Sequence, residues 1–581
     1  MGDLLIQYLQ QLDVDYVFGI PGGAIEPFYN ALARSGRNGG PRSIVARHET
    51  GAAFMADGYA RNTGKLGVCC ATTGPGATNL ITGIASAFEN NIPMLVITAQ
   101  TALSTFGRGA FQESSCTGVN TVGLFEHCTR YNSLVSHVDQ FEHKLAAAVM
   151  TAFQSPAGPV HLSVPLDVMR ATSGVSKPSF DLAGLLEKPS YVDDKAVDAF
   201  YEELVTAKRP VLLVGDEASE AIGSLLSIAV KLDAQIITTP HGKGLVSPYH
   251  PLFRGVVGFA GHVSAKEVLQ DDEVDLVVAV GSSLSEWASS GWDETLLLNN
   301  RLVHVESVET NLTRSPMAKL HVRGRLECVF ERIVERLESE PRLILKSVAP
   351  EEAVTDATQQ TALPERHFTL LEPQKCSANS SPIKPQRLMA ELPNLFPANT
   401  RYLADTGASF AWATHYLHPF DRRICGKRDA HGGLFRACLE FASMGWAIGS
   451  AVGAALARPE SPVVCITGDG SLLMSGQEFT VAVQEKLPVI FVVLNDSGFG
   501  MVRHGQQLSG AEQIGVDIPP ANFATMARSL GGDGYVVHSP QDLLNLDIDK
   551  ICTQGQPTIL DVRIDKSEIP PIGLRIESIT S

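Results

Sequence analysis

The chain has 581 residues, enough for about three or four domains, with 44% hydrophobic residues and a formal net charge of −17. That acidic balance, without clustered Lys and Arg, argues against a nonspecific nucleic-acid surface. No apolar run of about 18 residues suggests a membrane span. No charged segment followed by an apolar core marks a secretory leader, and ten cysteines without a CxxC pair fit a reducing, cytoplasmic compartment, with a processed transit peptide left open.

Three blocks alternate short apolar strands with helical patterns, which predicts α/β domains with mostly parallel sheets covered on both faces. The first block spans 1–185, with strands beginning at Tyr16, Gly67, Met94 and Val160. Tight turns follow the first two, at Pro21-Gly22-Gly23 and Gly74-Pro75-Gly76. Glu49 lies between a short apolar strand and a helix of small residues; alone, it reads as an ordinary helix-start carboxylate favoured by exposed N–H groups. The second block spans 186–344, with strands beginning at Pro210, Ala234, Val274 and Leu302. Residues 345–388 lose periodicity, are rich in Thr, Gln, Pro and Ser, and form the expected linker. The third block spans 389–581, with strands beginning at Arg401, Val463, Val489 and Thr558 and a surface tail at its end.

The third block carries the chemistry. One strand ends in Gly468-Asp469-Gly470-Ser471, and after a helix-like segment the next ends in Asn495-Asp496. Neighbouring strand ends of a parallel sheet open at the same edge, so Asp469 and Asp496 can meet there. Two hard oxygen ligands suit magnesium, and the small Gly470-Ser471 step lets phosphate approach N–H groups at a helix start. The bland alternative is two acidic loop residues after buried strands. Gly407, Ala408 and Ser409 form a second Gly-containing turn after a strand. Met444, before an apolar helix, would ordinarily be core filler.

In their order, GDGS, helix, strand and Asn-Asp resemble the thiamine diphosphate signature. The segments ARHETGAAFMADGYAR, GIPGGAIEPFYNAL, ATTGPGATNLITGIASAFENNIPMLVITAQ and GAFQES resemble acetolactate synthases, and the likeness is strongest over 16–165 and 389–510. It implies three Rossmann-like parallel-sheet domains of the thiamine diphosphate-dependent enzyme fold: a pyrimidine-binding domain, a central domain, and a diphosphate- and magnesium-binding domain. By resemblance, Asp469, Asp496 and the Gly498 carbonyl hold Mg2+, with Asp496 standing where Asn is commoner. Gly407, Ala408, Ser409, Gly470 and Ser471 meet the diphosphate. The Ala442 carbonyl and Met444 N–H read the pyrimidine, the Met444 side chain supports the bent cofactor, and Met501 falls on an active-site segment. Glu49 becomes the carboxylate that activates the pyrimidine. Gly22, Gly23, Phe111, Gln112 and Val502 fall on the substrate channel, with Gln112 as a polar catalytic contact. Arg130 stands where a basic residue often attracts a ketoacid carboxylate, and Arg503 and His504 either contact substrate or sit on an exposed lid without a chemical role. The family arrangement also implies a homodimer, with a homotetramer open, in which Glu49 completes the partner's site.

The activity implied is decarboxylation of pyruvate and transfer of the two-carbon unit to a second 2-ketoacid. Gly505 stands where anabolic members usually carry a Trp that favours 2-ketobutyrate as acceptor, so branched-chain selectivity is in doubt. Flavin adenine dinucleotide is open but disfavoured. Gly215-Asp216-Glu217-Ala218 and the segment from Gly281 lack the glycine-rich and Arg-containing text that binds it, although Glu306 could meet a ribose. Three alternatives remain: a carboligase forming an acyloin from another donor or acceptor, a 2-ketoacid decarboxylase (though no early His-His pair is present), and a noncatalytic cofactor-binding protein.

Overall fold

The chain's central strands are short runs of Val, Ile, Leu and Cys bounded by Gly, Pro or acidic residues. In the computed structural model, which describes residues 1–172, 174–187, 192–339, 365–419 and 433–573, they assemble into three parallel six-stranded sheets. The first contains β1 (Tyr16–Gly19), β2 (Arg42–Val45), β3 (Gly67–Ala71), β4 (Met94–Gln100), β5 (Tyr131–Leu134) and β6 (Pro159–Pro165) in the order β2-β1-β3-β4-β6-β5. The second contains β7 (Pro210–Val214), β8 (Gln235–Thr238), β9 (Phe253–Val256), β10 (Leu276–Val280), β11 (Leu302–Glu306) and β12 (Leu320–Arg323) in the order β12-β11-β10-β7-β8-β9. The third contains β13 (Arg401–Ala404), β14 (Phe435–Ala437), β15 (Val463–Gly468), β16 (Val489–Asn495), β17 (Asp533–Val537) and β18 (Thr558–Arg563) in the order β14-β13-β15-β16-β18-β17.

The outer sheets therefore share one strand order. The central sheet has the doubly wound order of dinucleotide-binding folds, with its switch point between β7 and β10. Central strands such as β4, β6 and β16 are buried along their whole length, as expected when helices cover both faces. Of the expected linker, 345–364 lies outside the described residues. The rest carries a 3-10 turn at Pro373–Ser377 and enters a helix at Pro385. The end of the expected tail, 574–581, also lies outside the described residues. Among those described, no helix is long and apolar enough to cross a membrane.

Five helices position the site: α1 (Glu49–Thr63), α2 (Ala408–Tyr416), α3 (Trp446–Ala457), α4 (Asp469–Ser475) and α5 (Gly500–Leu508). Helices α1 and α3 pack the first sheet's domain against the third's. Small residues let them touch backbone to backbone: a Cβ on Gly58 would overlap the Ser450 carbonyl, and one on Gly453 would overlap Met55 O. Two polar contacts fix the register, Trp446 Nε1 donating to Asp57 Oδ1 at 2.9 Å and Ser450 Oγ to Phe54 O at 3.0 Å. One apolar cluster runs through both helices and both sheets, from Phe18 and Phe54 to Trp446 and Phe491.

Candidate active site

Four loops meet at one edge of the third sheet. The turn after β13 passes through Gly407, whose φ of 103° admits glycine far more easily than other residues, and opens α2. A Cβ there would meet nothing within 4 Å, so the approach is open. The first-turn N–H groups of α2, from Ala408 and Ser409 onward, have no partner within the helix. The Ser409 hydroxyl turns back to Asp405 O at 2.8 Å.

Asp405 ties this turn to two others. Its Oδ2 accepts from Gly445 N–H at 3.0 Å and from the Thr467 hydroxyl at 2.9 Å, while its Oδ1 accepts from Ala447 N–H at 3.2 Å. Ser471 also bonds to it, and burial pushes the carboxyl up against those donors. Asp405 thus caps α3 and fixes the Ala442–Met444 turn, in which Ala442 has φ of 53° and Met444 is half-buried.

Asp469 is the first residue of α4. Its Oδ1 accepts from Gly470 N–H at 2.7 Å and its Oδ2 from Gly498 N–H at 3.1 Å, so the turns after β15 and β16 are joined directly. Burial, then the nearby Asp496 carboxylate, pushes the Asp469 carboxyl up to about 6. Such crowding of two buried acids is relieved by a divalent cation, and the Gly498 carbonyl belongs to the same turn. Among the described residues no group of three or more His, Cys, Asp or Glu forms a metal cluster, so a cation here would draw on the two Asp and main-chain or ligand oxygens. A Cβ on Gly470 would lie 2.7 Å from the Phe499 ring, which explains the glycine.

Helix α5 follows, and two of its residues expected on the substrate side turn inward. Arg503 and His504 are buried, at 8% and 4% exposure. Arg503 Nη1 donates to Asp496 Oδ2 at 2.9 Å and Nη2 to Asp517 Oδ1 at 3.2 Å. The His504 Nε2 lies 3.2 Å from Lys566 O. Neither residue is on an exposed lid; Val502, at 51% exposure, is the one that faces outward, while Met501 packs partly into the core.

In the first domain, Glu49 opens α1, and its Oε2 accepts from Asn79 Nδ2 at 2.9 Å. Gly22 packs against Thr72, 2.6 Å from where its Cβ would be, whereas Gly23 faces open space. Gln112 has φ of 58° and its carbonyl accepts from the Thr73 hydroxyl at 2.9 Å, which seats the exposed Phe111–Gln112 turn beside the turn after β3. Within one chain and among the described residues, no hydrogen bond or ion pair joins Glu49 to Asp469 or Asp496.

Arg130 lies elsewhere. It donates to Phe88 O at 3.2 Å, Asn91 Oδ1 at 2.9 Å and Ala157 O at 3.3 Å, and stacks on the Phe88 ring. With Asp216, Glu217, His241 and Glu440 it lines a polar cavity of 220 Å³ at the switch point of the central sheet. There, Glu217 N–H donates to Gly281 O at 3.2 Å, while Ser307 and Val308 N–H donate to Glu306 Oε1 at 2.7 and 3.1 Å. Burial and the adjacent Glu306 push the Glu217 carboxyl well above the usual carboxylate range.

Sequence reasoning assigned no role to Asp405, Asn79 or Glu478. Each is a polar residue buried or half-buried in the structure, but its partner is distant in sequence, so only an acidic or amide residue in an otherwise apolar stretch could have signalled it.

Comparison with known proteins agrees with this layout. A model described as thiamine pyrophosphate enzyme, N-terminal TPP binding domain, matches residues 1–119; the central-domain model matches 197–333 and the C-terminal TPP binding domain model 405–562. The chain is 30% identical to acetolactate synthase isozyme 1 large subunit of Escherichia coli (strain K12), over 98% of this chain and 95% of that one. It is 30% identical to isozyme 2 large subunit of the same organism, over 98% and 97%. It is 29% identical to a probable acetolactate synthase large subunit of Methanococcus aeolicus, over 98% and 93%.

Proposed function

The chain belongs to the thiamine pyrophosphate-dependent enzymes, and from that premise we propose that it is an acetolactate synthase-like carboligase, which decarboxylates pyruvate and joins the two-carbon unit to a second 2-ketoacid. The observation that carries the reading is the buried Asp469–Asp496 pair, set at one sheet edge beside the open first turn of α2. The near full-length likeness to acetolactate synthase large subunits supports the choice of reaction.

Asp469, Asp496 and the Gly498 carbonyl would hold Mg2+, and the N–H groups of Ala408, Ser409, Gly470 and Ser471 would take the diphosphate. The Gly407 turn leaves room for the phosphates. The Ala442 carbonyl and Met444 N–H would orient the pyrimidine, with the Met444 side chain beneath it. When bound, the cofactor supplies the electron sink needed to break the carboxyl bond of a 2-ketoacid. Glu49 would hold a proton at the pyrimidine N1′, and Asn79 keeps one of its oxygens in place. Gly22 and Gly23 leave space on the substrate side, where Phe111, Gln112, Met501 and Val502 would shape the channel.

Glu49 and Asp469 belong to different domains, and a homodimer in which each Glu49 serves the partner's Asp469 is the minimum unit of this reading. Its support is the apolar surface left bare beside these residues: Phe111 is 86% exposed and Met474, at the end of α4, is 58% exposed. Arg130 is not carried forward as a ketoacid ligand, because carbonyl and amide oxygens already hold its guanidinium. We do not carry a flavin dinucleotide into this reading. The amides of Glu217, Ser307 and Val308 are engaged, and Asp216 would oppose a phosphate.

The test is to incubate purified protein with thiamine diphosphate, magnesium and pyruvate and resolve the products by proton NMR. Acetolactate supports the reading. Acetaldehyde alone replaces it with a decarboxylase, and no pyruvate turnover in cofactor-bound protein sends the donor to another class.

A further inference from the structure

Glu478 closes the 3-10 turn Gly476–Glu478 that follows α4, and it is completely buried. Its carboxylate serves the other domain. Oε1 accepts from His48 N–H at 2.9 Å, and Arg47 N–H lies 3.1 Å from Oε2 and 3.2 Å from Oε1. These are the two residues immediately before Glu49. The carboxylate also lies under the first turn of α1, where a Cβ on Gly51 would overlap it. The next turn continues the grip: Arg47 Nε donates to the Thr480 hydroxyl at 2.8 Å and Nη2 to Gln484 Oε1 at 2.9 Å.

A carboxylate is a costly group to bury, and an apolar side chain would fill the space with less desolvation. What a carboxylate supplies here is a pair of acceptor oxygens for two adjacent main-chain N–H groups. Those donors sit in the turn between β2 and α1, whose conformation sets where the Glu49 side chain points. The charged groups facing Glu478 are Arg47, whose cation favours the carboxylate, and Glu49, whose anion opposes it. Burial outweighs them and pushes the carboxyl up to about 7.

We propose that Glu478 is the positioning residue for Glu49: its carboxylate pins the Arg47–His48 turn and so sets the height and direction of the Glu49 side chain. The inference rests on the reading of Glu49 as the group that acts on the cofactor. It adds that the domain carrying Asp469 aims the Glu49 of its own chain, which in a homodimer works in the partner's site.

The experiment compares wild type, Glu49→Gln, Glu478→Gln and Glu478→Asp. Each is loaded with thiamine diphosphate and magnesium, and deuterium exchange at the cofactor C2 is timed across pH. Cofactor affinity is measured in parallel, and amide exchange of the 43–55 peptide is followed by mass spectrometry in the cofactor-free proteins. Glu478→Gln is expected to slow C2 exchange about 10- to 100-fold, the loss typical of a misplaced catalytic group, with cofactor affinity little changed. It should also speed amide exchange in the 43–55 peptide. In wild type, C2 exchange should fall as pH drops through about 7, where Glu478 takes up a proton. The same step should be lost in Glu478→Gln and kept in Glu478→Asp. Wild-type C2 exchange in Glu478→Gln, or an unaltered pH profile, overturns the proposal. If Glu478→Gln does not fold, Glu478→Asp decides: slower C2 exchange at unchanged affinity supports positioning, and wild-type exchange overturns it. If Glu49→Gln slows exchange while the Glu478 variants do not, positioning alone fails. If Glu49→Gln also exchanges normally, the reading of Glu49 fails first.

Discussion

Arg503, in the first turn of α5, reaches back to donate to Asp496 at 2.9 Å, so the acid expected as second metal ligand already carries a counter-cation. Both side chains are only 9% exposed, so the pair lies where solvent screens little. In the proposed metal site a guanidinium and a magnesium ion therefore draw on one carboxylate.

Arg503→Gln should accordingly bind magnesium at lower concentration, because the metal no longer competes with the guanidinium. Without metal the same variant should be less stable by about 3 kcal/mol, the usual consequence of stranding one member of a buried ion pair. Magnesium titration followed by cofactor binding, together with calorimetry in chelator, checks both. Unchanged magnesium demand would remove Arg503 from any link to the metal site.

Asp405→Ala should disable cofactor binding before it disables folding of the other domains. The change leaves Gly445 and Ala447 N–H and the Thr467 hydroxyl without their acceptor, at a stability cost of about 3 kcal/mol. The loops after β13 and β15 and the turn before α3 then lose their common tie. Asp405→Asn keeps one acceptor oxygen and should fall between. Isothermal titration with thiamine diphosphate and thermal melts separate the two effects.

Gly505 lies on α5 with open space where a Cβ would stand. A large side chain can therefore be added without collision inside the chain. Gly505→Trp should raise the preference for 2-ketobutyrate over pyruvate as acceptor while leaving pyruvate consumption as donor intact. Competition between the two ketoacids, read as the product ratio, checks this. An unchanged ratio would place α5 away from the acceptor.

Acid should destabilise the protein from well above the carboxylate range. Burial holds His161 down to about 3 and His304 and His415 down to about 4, from 6.5. Their neutral forms are native, so the stability they confer is complete above pH 6.5 and is lost as pH falls towards 4. Each proton that only the unfolded chain binds tilts stability by about 1.4 kcal/mol per pH unit. Urea unfolding across pH 6.5 to 4 should show the midpoint falling, and a flat midpoint would mean that these rings are accessible to protons in the folded state.

The sequence showed the inner strands and hid the edges. Strands β7 and β10 are unbroken apolar runs, and β4 and β16 are apolar but for Thr98, Gln100 and Asn495, because both faces are covered. The strands that escaped notice, β5, β9, β12, β14 and β17, all stand at sheet edges, and their Tyr-Asn-Ser-Leu or Leu-His-Val-Arg texts carry the polarity that an edge tolerates. The site divides in the same way. The approach of the Asp469 and Asp496 turns could be read from parallel-sheet geometry alone. Arg503's inward turn, Asp405's four donors and Glu478's hold on Arg47 could not, since those partners are set by packing between segments far apart in the chain.

The interlock of Gly58 with Ser450 and of Gly453 with Met55 also bears on how the protein is made. Helix α1 emerges from the ribosome with its small-residue face uncovered, and the surface that covers it lies nearly four hundred residues downstream. Closing so long a loop is slow compared with local helix formation. Until α3 arrives, the first domain presents an apolar stripe to every neighbouring nascent chain, the kind of exposure that chaperones recognise and that aggregation exploits.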